Sequence, residues 1–160
     1  MTAPKPATMQ GDLRPGQPKF SRPPRSGPAR SPRRGMRVLV VDRDEDRRDL
    51  MCVSVSVLGH RAEEAWDTRQ ALVALRADVF DVVIVDDQIP GFDVLEVTEL
   101  LVAATRSARR RPAVVVVSGD LDVVRRTALF RVGVVEVVSR PLSLAPLHGL
   151  LTRIARTASG

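Results

Sequence analysis

With 160 residues and 44% hydrophobic side chains, the chain is about one domain long and holds enough apolar material for a single core. Its net charge of +6 is unevenly placed: residues 1–35 carry eight basic groups and one acid (8 − 1 = +7), so residues 36–160, with 17 basic and 18 acidic groups, carry −1. The single cysteine excludes an intramolecular disulfide. No run of about 18 apolar residues offers a membrane span and no signal-peptide core opens the chain, so a soluble, cytoplasmic protein with no membrane partner is expected.

Residues 1–35 hold eight of the twelve prolines and cannot build a core, which predicts a disordered basic tail. Such a tail can contact nucleic acid through salt-sensitive charge pairs. The plainer role is a solvated linker. Phe20 is its only aromatic residue, which leaves little for base stacking.

From Met36 onward, Val-rich runs alternate with segments of helical period, as in βα units built on a parallel sheet. The runs predict strands at 36–41, 61–64, 81–85, 113–117 and 134–138. Helices are expected at about 45–58, 68–76, 93–105, 121–131 and 144–156. The second strand, Arg61-Ala62-Glu63-Glu64, is short and charged and suits a sheet edge. Asp44 or Glu45 can open the first helix, Asp67 the second, Asp120 the fourth and Ser143 the fifth, with Pro146 in its first turn; Gly59 and Gly133 can close helices in left-handed caps. Five βα units make an α/β, doubly wound, three-layer domain over 36–160.

Four of these strands deliver a polar side chain to the end where binding crevices of such sheets form: Asp42, Asp86, Ser118 and Arg140-Pro141. Right-handed crossovers and a switch point near the first strand would bring Asp42 and Asp86 together. Asp87 is expected to point away from the pocket. Asp44 and Asp46 suit a helix N-terminus better than a ligand set, and Arg109-Arg110-Arg111 reads as a solvated turn. Cys52 lies in an apolar run as a packed, inert thiol, and His60 and His148 have no partner at metal-ligand spacing. There is no glycine-rich phosphate loop, no nucleophile elbow and no histidine near the carboxylates, so a conventional enzyme is not expected.

Four segments carry a family resemblance: Val38-Leu39-Val40-Val41-Asp42-Arg43-Asp44-Glu45-Asp46, Asp81 through Asp93, Val114-Val115-Val116-Val117-Ser118-Gly119, and Gly133 through Leu142. In this order and at this spacing the chain resembles the receiver (response regulator) domain of two-component signalling over 36–156. The resemblance implies a flavodoxin-like five-stranded fold and a histidine kinase or other signalling protein as partner. It implies Asp86 as phosphoacceptor, Asp42 as one of an acidic pair, and Mg²⁺ held by Asp42, Asp86 and the carbonyl of Gln88. Ser118 and Arg140 take the positions that contact the phosphoryl group, and the bond to Pro141 would be cis.

Two departures bear on the chemistry. Arg43 stands where the family has its second acid, and Arg140 stands for its lysine; residues 36–160 contain no lysine. Val137 also replaces the family's switching aromatic residue. Asp42, Asp86, Arg43 and Arg140 sum to zero charge, and Mg²⁺ needs hard oxygen donors, so weak or absent Mg²⁺ binding is expected, with Arg43 or Arg140 as the cation between the carboxylates. The expectation is a stand-alone, atypical receiver-like module with Asp86 as acceptor. The alternatives are a phosphorylation-independent pseudo-receiver that binds other proteins, or a nucleic-acid-associated protein that uses residues 1–35.

Overall fold

The computed structural model describes residues 35–89, 93–108 and 110–160, so the expected tail, apart from Gly35, lies outside the described residues, as do Pro90, Gly91, Phe92 and Arg109. Five strands and five helices alternate: β1 (Arg37–Val41), α1 (Glu45–Val57), β2 (Arg61–Ala65), α2 (Thr68–Ala77), β3 (Val82–Asp86), α3 (Val94–Ala104), β4 (Ala113–Ser118), α4 (Val123–Val132), β5 (Val134–Ser139) and α5 (Leu144–Thr157). All neighbouring strands pair in parallel, in the order β2-β1-β3-β4-β5. The charged strand β2 is at an edge, where its exposed Arg61, Glu63 and Glu64 meet water. β1 lies between β2 and β3, which makes the β1–β3 junction the point where the winding reverses.

Strand alternation sorts the core into two layers. Leu39, Val41, Val83, Val85, Val114 and Val116 face one way and pack with Phe80, Val97, Leu101 and Leu129 from the α2–α4 side. Val38, Val40, Val82, Ile84, Val115 and Val117 face the other way, against Val55 of α1 and Leu147, Leu150, Leu151 and Ile154 of α5. β3 is buried along its whole length. Each fully buried Val or Leu contributes about 1.5–3 kcal/mol of transfer free energy.

The helix ends follow the capping rules. Asp44, Asp67 and Asp93 cap α1, α2 and α3 through their side chains, and Asp93 with Glu96 forms a capping box. Gly133 closes α4 at φ 114°, a left-handed conformation that favours glycine. One expectation is corrected here. Asp122, not Asp120, caps α4 by accepting from the Arg125 amide at 2.8 Å, so the helix begins two residues later than its sequence pattern suggested.

Candidate functional site

The register of the sheet builds the site. Val41 pairs with Val85, Asp86 with Val117 and Ser118 with Ser139, so the residues at or just past these positions share one end of the sheet. Asp42 follows β1 and its amide donates to the Ala65 carbonyl at 3.1 Å. Asp42, Asp86 and Ser118 are all buried.

Two carboxylates about 4 Å apart would repel by roughly 4 kcal/mol at an effective dielectric near 20, so the pocket needs a cation. On the β1 side that cation is Arg47. Its Nε donates to Asp42 Oδ2 at 3.1 Å and its Nη2 to Asp42 Oδ1 at 2.9 Å, and Nη2 also reaches Asp86 Oδ1 at 3.4 Å. The local turn explains the reach: the Asp44 amide donates to Asp42 Oδ1, and the Asp44 side chain accepts from the Arg47 amide, placing residue 47 in the first turn of α1 over the strand ends. Arg43 is corrected accordingly. It lies exposed in the turn before α1, and its side chain makes no hydrogen bond or ion pair among the described residues. Buried Arg48 braces the same turn, donating through Nη1 to the Asp42 carbonyl at 3.1 Å and through Nε to Glu64 Oε2 at 3.2 Å.

On the β5 side Arg140 forks onto Asp86 Oδ2 through Nε (3.2 Å) and Nη2 (2.8 Å), and Nη2 also bonds Asp87 Oδ1. Ser118 Oγ donates to Asp87 Oδ2 at 2.5 Å. Asp87 therefore faces the pocket, against the expectation, because the chain leaves the strand after Asp86 and both carboxylates reach one guanidinium. Gly119 gives that guanidinium room: a Cβ there would lie 3.1 Å from Arg140 Nη1. The Arg140–Pro141 bond is cis. Val137 is buried, and its carbonyl accepts from Arg126 Nη2 of α4 at 3.0 Å.

Burial pushes the Asp86 carboxyl above the ordinary carboxylate value; the Gln88 amide, donating at 2.8 Å, pulls it down, the Asp42 charge adds to the rise, and Arg140 opposes it. The bond to Asp42 raises Arg47, and for Arg140 the carboxylates of Asp86 and Asp87 outweigh the lowering effect of burial. With Arg47 in place of Arg43 and Asp87 added, the pocket carries three acids and two arginines, −1 overall. A cavity of about 80 Å³ adjoins it, walled by Leu50, Met51, Ile84, Val117 and Leu142 beside Arg47 and Arg140.

This donor set does not fit Mg²⁺ as arranged. A hard dication needs several oxygen atoms of its own, yet both oxygens of Asp42 and both of Asp86 already accept from guanidinium or amide groups. Gln88 enters through its amide. Among the described residues no three His, Cys, Asp or Glu side chains are grouped to hold a metal ion. No helix among them is long and apolar enough to cross a membrane.

Comparison with known proteins gives one family. The response regulator receiver domain model matches residues 38–152. The chain is 31% identical over 121 residues to the response regulator MprA of Mycolicibacterium vanbaalenii, covering 76% of this chain and 51% of that protein. It is 30% identical over 122 residues to the sensory/regulatory protein RpfC of Xanthomonas campestris pv. campestris, covering 76% of this chain and 17% of RpfC. The chain thus spans about half of one curated relative and a smaller part of the other. Among solved structures, the receiver domain of the Francisella response regulator 1452 aligns with a TM-score of 0.66 at 18% identity, over 77% of this chain and 98% of that one. The receiver domain of the sensor histidine kinase PA1611 from Pseudomonas aeruginosa, solved with magnesium in its active-site cleft, aligns with a TM-score of 0.66 at 20% identity, over 76% and 98%. These likenesses show the fold. The family model over residues 38–152 and the relative at 31% identity show more: the chain belongs to the response regulator receiver domain family of two-component signalling.

Proposed function

We propose that this receiver domain is a protein-interaction module whose pocket is set by arginine–carboxylate pairs, and that it works without Mg²⁺-assisted phosphorylation of Asp86. One observation carries this: Arg47 and Arg140 together engage both oxygens of Asp86, and Arg47 also forks onto Asp42. A carboxylate that attacks phosphorus needs a free lone pair and a cation shared with the incoming phosphoryl oxygens. Here the lone pairs are committed and the cations are fixed to the chain. The partner class is a histidine kinase or another signalling protein of the same systems, as the sensory/regulatory character of one relative suggests.

The competing reading makes Asp86 the phosphoacceptor, with Arg47 swinging out to admit a metal; its side chain is 35% exposed, against 3% for Asp86. Intact-mass measurement after incubation with acetyl phosphate and Mg²⁺ separates the two. The expected result is no phosphoryl adduct on the parent protein. An adduct lost in Asp86→Asn would overturn the proposal. Mg²⁺ titration followed by amide shifts sharpens it: neither the parent nor Arg43→Asp should saturate at sub-millimolar metal, because the obstructing cation is Arg47, whereas Arg43→Asp combined with Arg47→Ala should bind.

A further inference from the structure

The β4–β5 side of the pocket contains an anion that the phosphorylation chemistry does not call for. Ser118 has one hydroxyl proton to give, and it is given to Asp87 Oδ2 at 2.5 Å, within the short range of charge-assisted O–H···O⁻ bonds. Arg140 Nη2, already on Asp86, bonds the other oxygen of the same carboxylate. Backbone bonds hold all three residues in place: the Asp87 amide donates to the Val117 carbonyl at 3.0 Å and the Arg140 amide to the Ser118 carbonyl at 2.8 Å. The Asp87 side chain is 13% exposed and that of Arg140 19%, so water competes weakly for either.

We infer that Asp87 is a built-in ligand of the oxyanion-binding pair Ser118 and Arg140, so that the end of β4 is held by the chain itself in an anion-bound arrangement. The ligand class this half-site accepts is an oxyanion of carboxylate or phosphate type, and Asp87 occupies it internally. An external oxyanion then meets no free hydroxyl donor and must displace a carboxylate tethered beside it, whose effective concentration no dilute ligand matches. The inference deepens the proposed function, on which it rests, by naming what sets the pocket in place of a phosphoryl group. On the α4 side, the Arg126 bond to the Val137 carbonyl fastens α4 to β5 next to this half-site.

The test uses the full chain with neither metal nor phosphodonor. In ¹H–¹⁵N spectra, Asp87→Ala should displace the amides of Ser118 and Gly119 and the Nε–H of Arg140. Inorganic phosphate at tens of millimolar should move those signals in Asp87→Ala and leave them in place in the parent. If Asp87→Ala leaves them where the parent has them, or if phosphate moves them equally in both proteins, the inference is wrong. A stability cycle guards against a variant that folds poorly. Asp87→Ala and Ser118→Ala should be non-additive in urea midpoint, the double variant losing less than the sum of the two single losses; strict additivity would mean that the two side chains do not act as a pair. A phosphoryl adduct on Asp86 in the parent would refute the proposed function and leave these metal-free results as they are, so the two failures are distinguishable.

Discussion

The two ends of the sheet use the same chemistry in different solvents. At the C-terminal ends of the strands Arg140 meets Asp86 with side chains 19% and 3% exposed. At the opposite end Arg37 bonds Asp78 and Glu63, whose side chains are nearly half exposed, and Arg110 meets Asp81 at 3.1 Å from a largely exposed position. Water screens the second set, and such pairs contribute little, typically below about 1 kcal/mol. It is largely excluded from the first, where an unpaired charge is costly. Burial, more than the number of ion pairs, therefore marks which arginines the fold depends on.

The largest expected effect follows from that contrast. Arg140→Ala strips Asp86 of its forked partner and leaves a buried carboxylate beside Asp42 and Asp87, which should cost about 3 kcal/mol in urea unfolding at neutral pH. Arg37→Ala should cost less than about 1 kcal/mol. The deficit of Arg140→Ala should narrow at lower pH. Burial already raises the Asp86 carboxyl, and losing Arg140 raises it further, so protonation removes the unpaired charge as pH falls through that value. Equal losses for the two variants would mean that burial does not separate the two ends.

An intermediate loss, about 1.5 kcal/mol, is expected for Arg47→Ala, because its side chain is more exposed than that of Arg140 and Arg48 still braces the Asp42 turn. Arg43→Ala should leave the unfolding midpoint unchanged within error. If Arg43→Ala matched Arg47→Ala, the assignment of Arg47 as the pocket cation would fail.

Much of this contrast was legible in the sequence. The Val-rich runs, the short charged segment 61–64 and the helical periods marked all ten elements, because period is a local property, and the caps named for α1, α2 and the end of α4 hold. The strand ends named Asp42, Asp86, Ser118 and Arg140, and the structure brings these four into one pocket. Two features were not legible. Asp87 follows Asp86 and alternation turns it away, but alternation stops where the strand stops. Arg47 is five residues beyond Asp42, and only the direction of the first turn of α1, fixed by the Asp44 cap, shows that it lies over the pocket where Arg43 does not. The spacing from a capping Asp44 to Arg47 was the available clue. The start of α4 was ambiguous because Asp120 and Asp122 are both competent caps.

A pH test separates the two ends further. At the N-terminal ends of the strands, the lower end of the sheet, the Met36 amide donates to His60 Nδ1 at 3.1 Å, a bond only a neutral imidazole can accept. Burial lowers the pKa of His60 from the usual 6.5, His148 adds to the lowering and Asp81 opposes it. The unfolded chain binds this proton more readily than the native one, so the stability contributed is complete above about pH 6.5 and is lost as pH falls through the lowered native value. The unfolding midpoint should decline over that window in the parent and less steeply in His60→Gln. Identical pH profiles for the two proteins would show that the Met36 contact contributes nothing.

The smallest effect is expected from residues 1–34, which lie outside the described residues and whose composition offers little apolar area to bury. Deleting them should change the unfolding free energy of the domain by less than about 0.5 kcal/mol. The charge consequence is larger. Those residues carry +7, and without them the chain falls to −1, so any salt-sensitive affinity for DNA should disappear on deletion. DNA binding that persists after deletion would move the contact onto the domain, with exposed Arg106, Arg110 and Arg111 at the lower end of the sheet as the first residues to replace. If neither form binds DNA at low salt, residues 1–34 act as a linker or a protein-docking segment and the nucleic-acid reading is dropped.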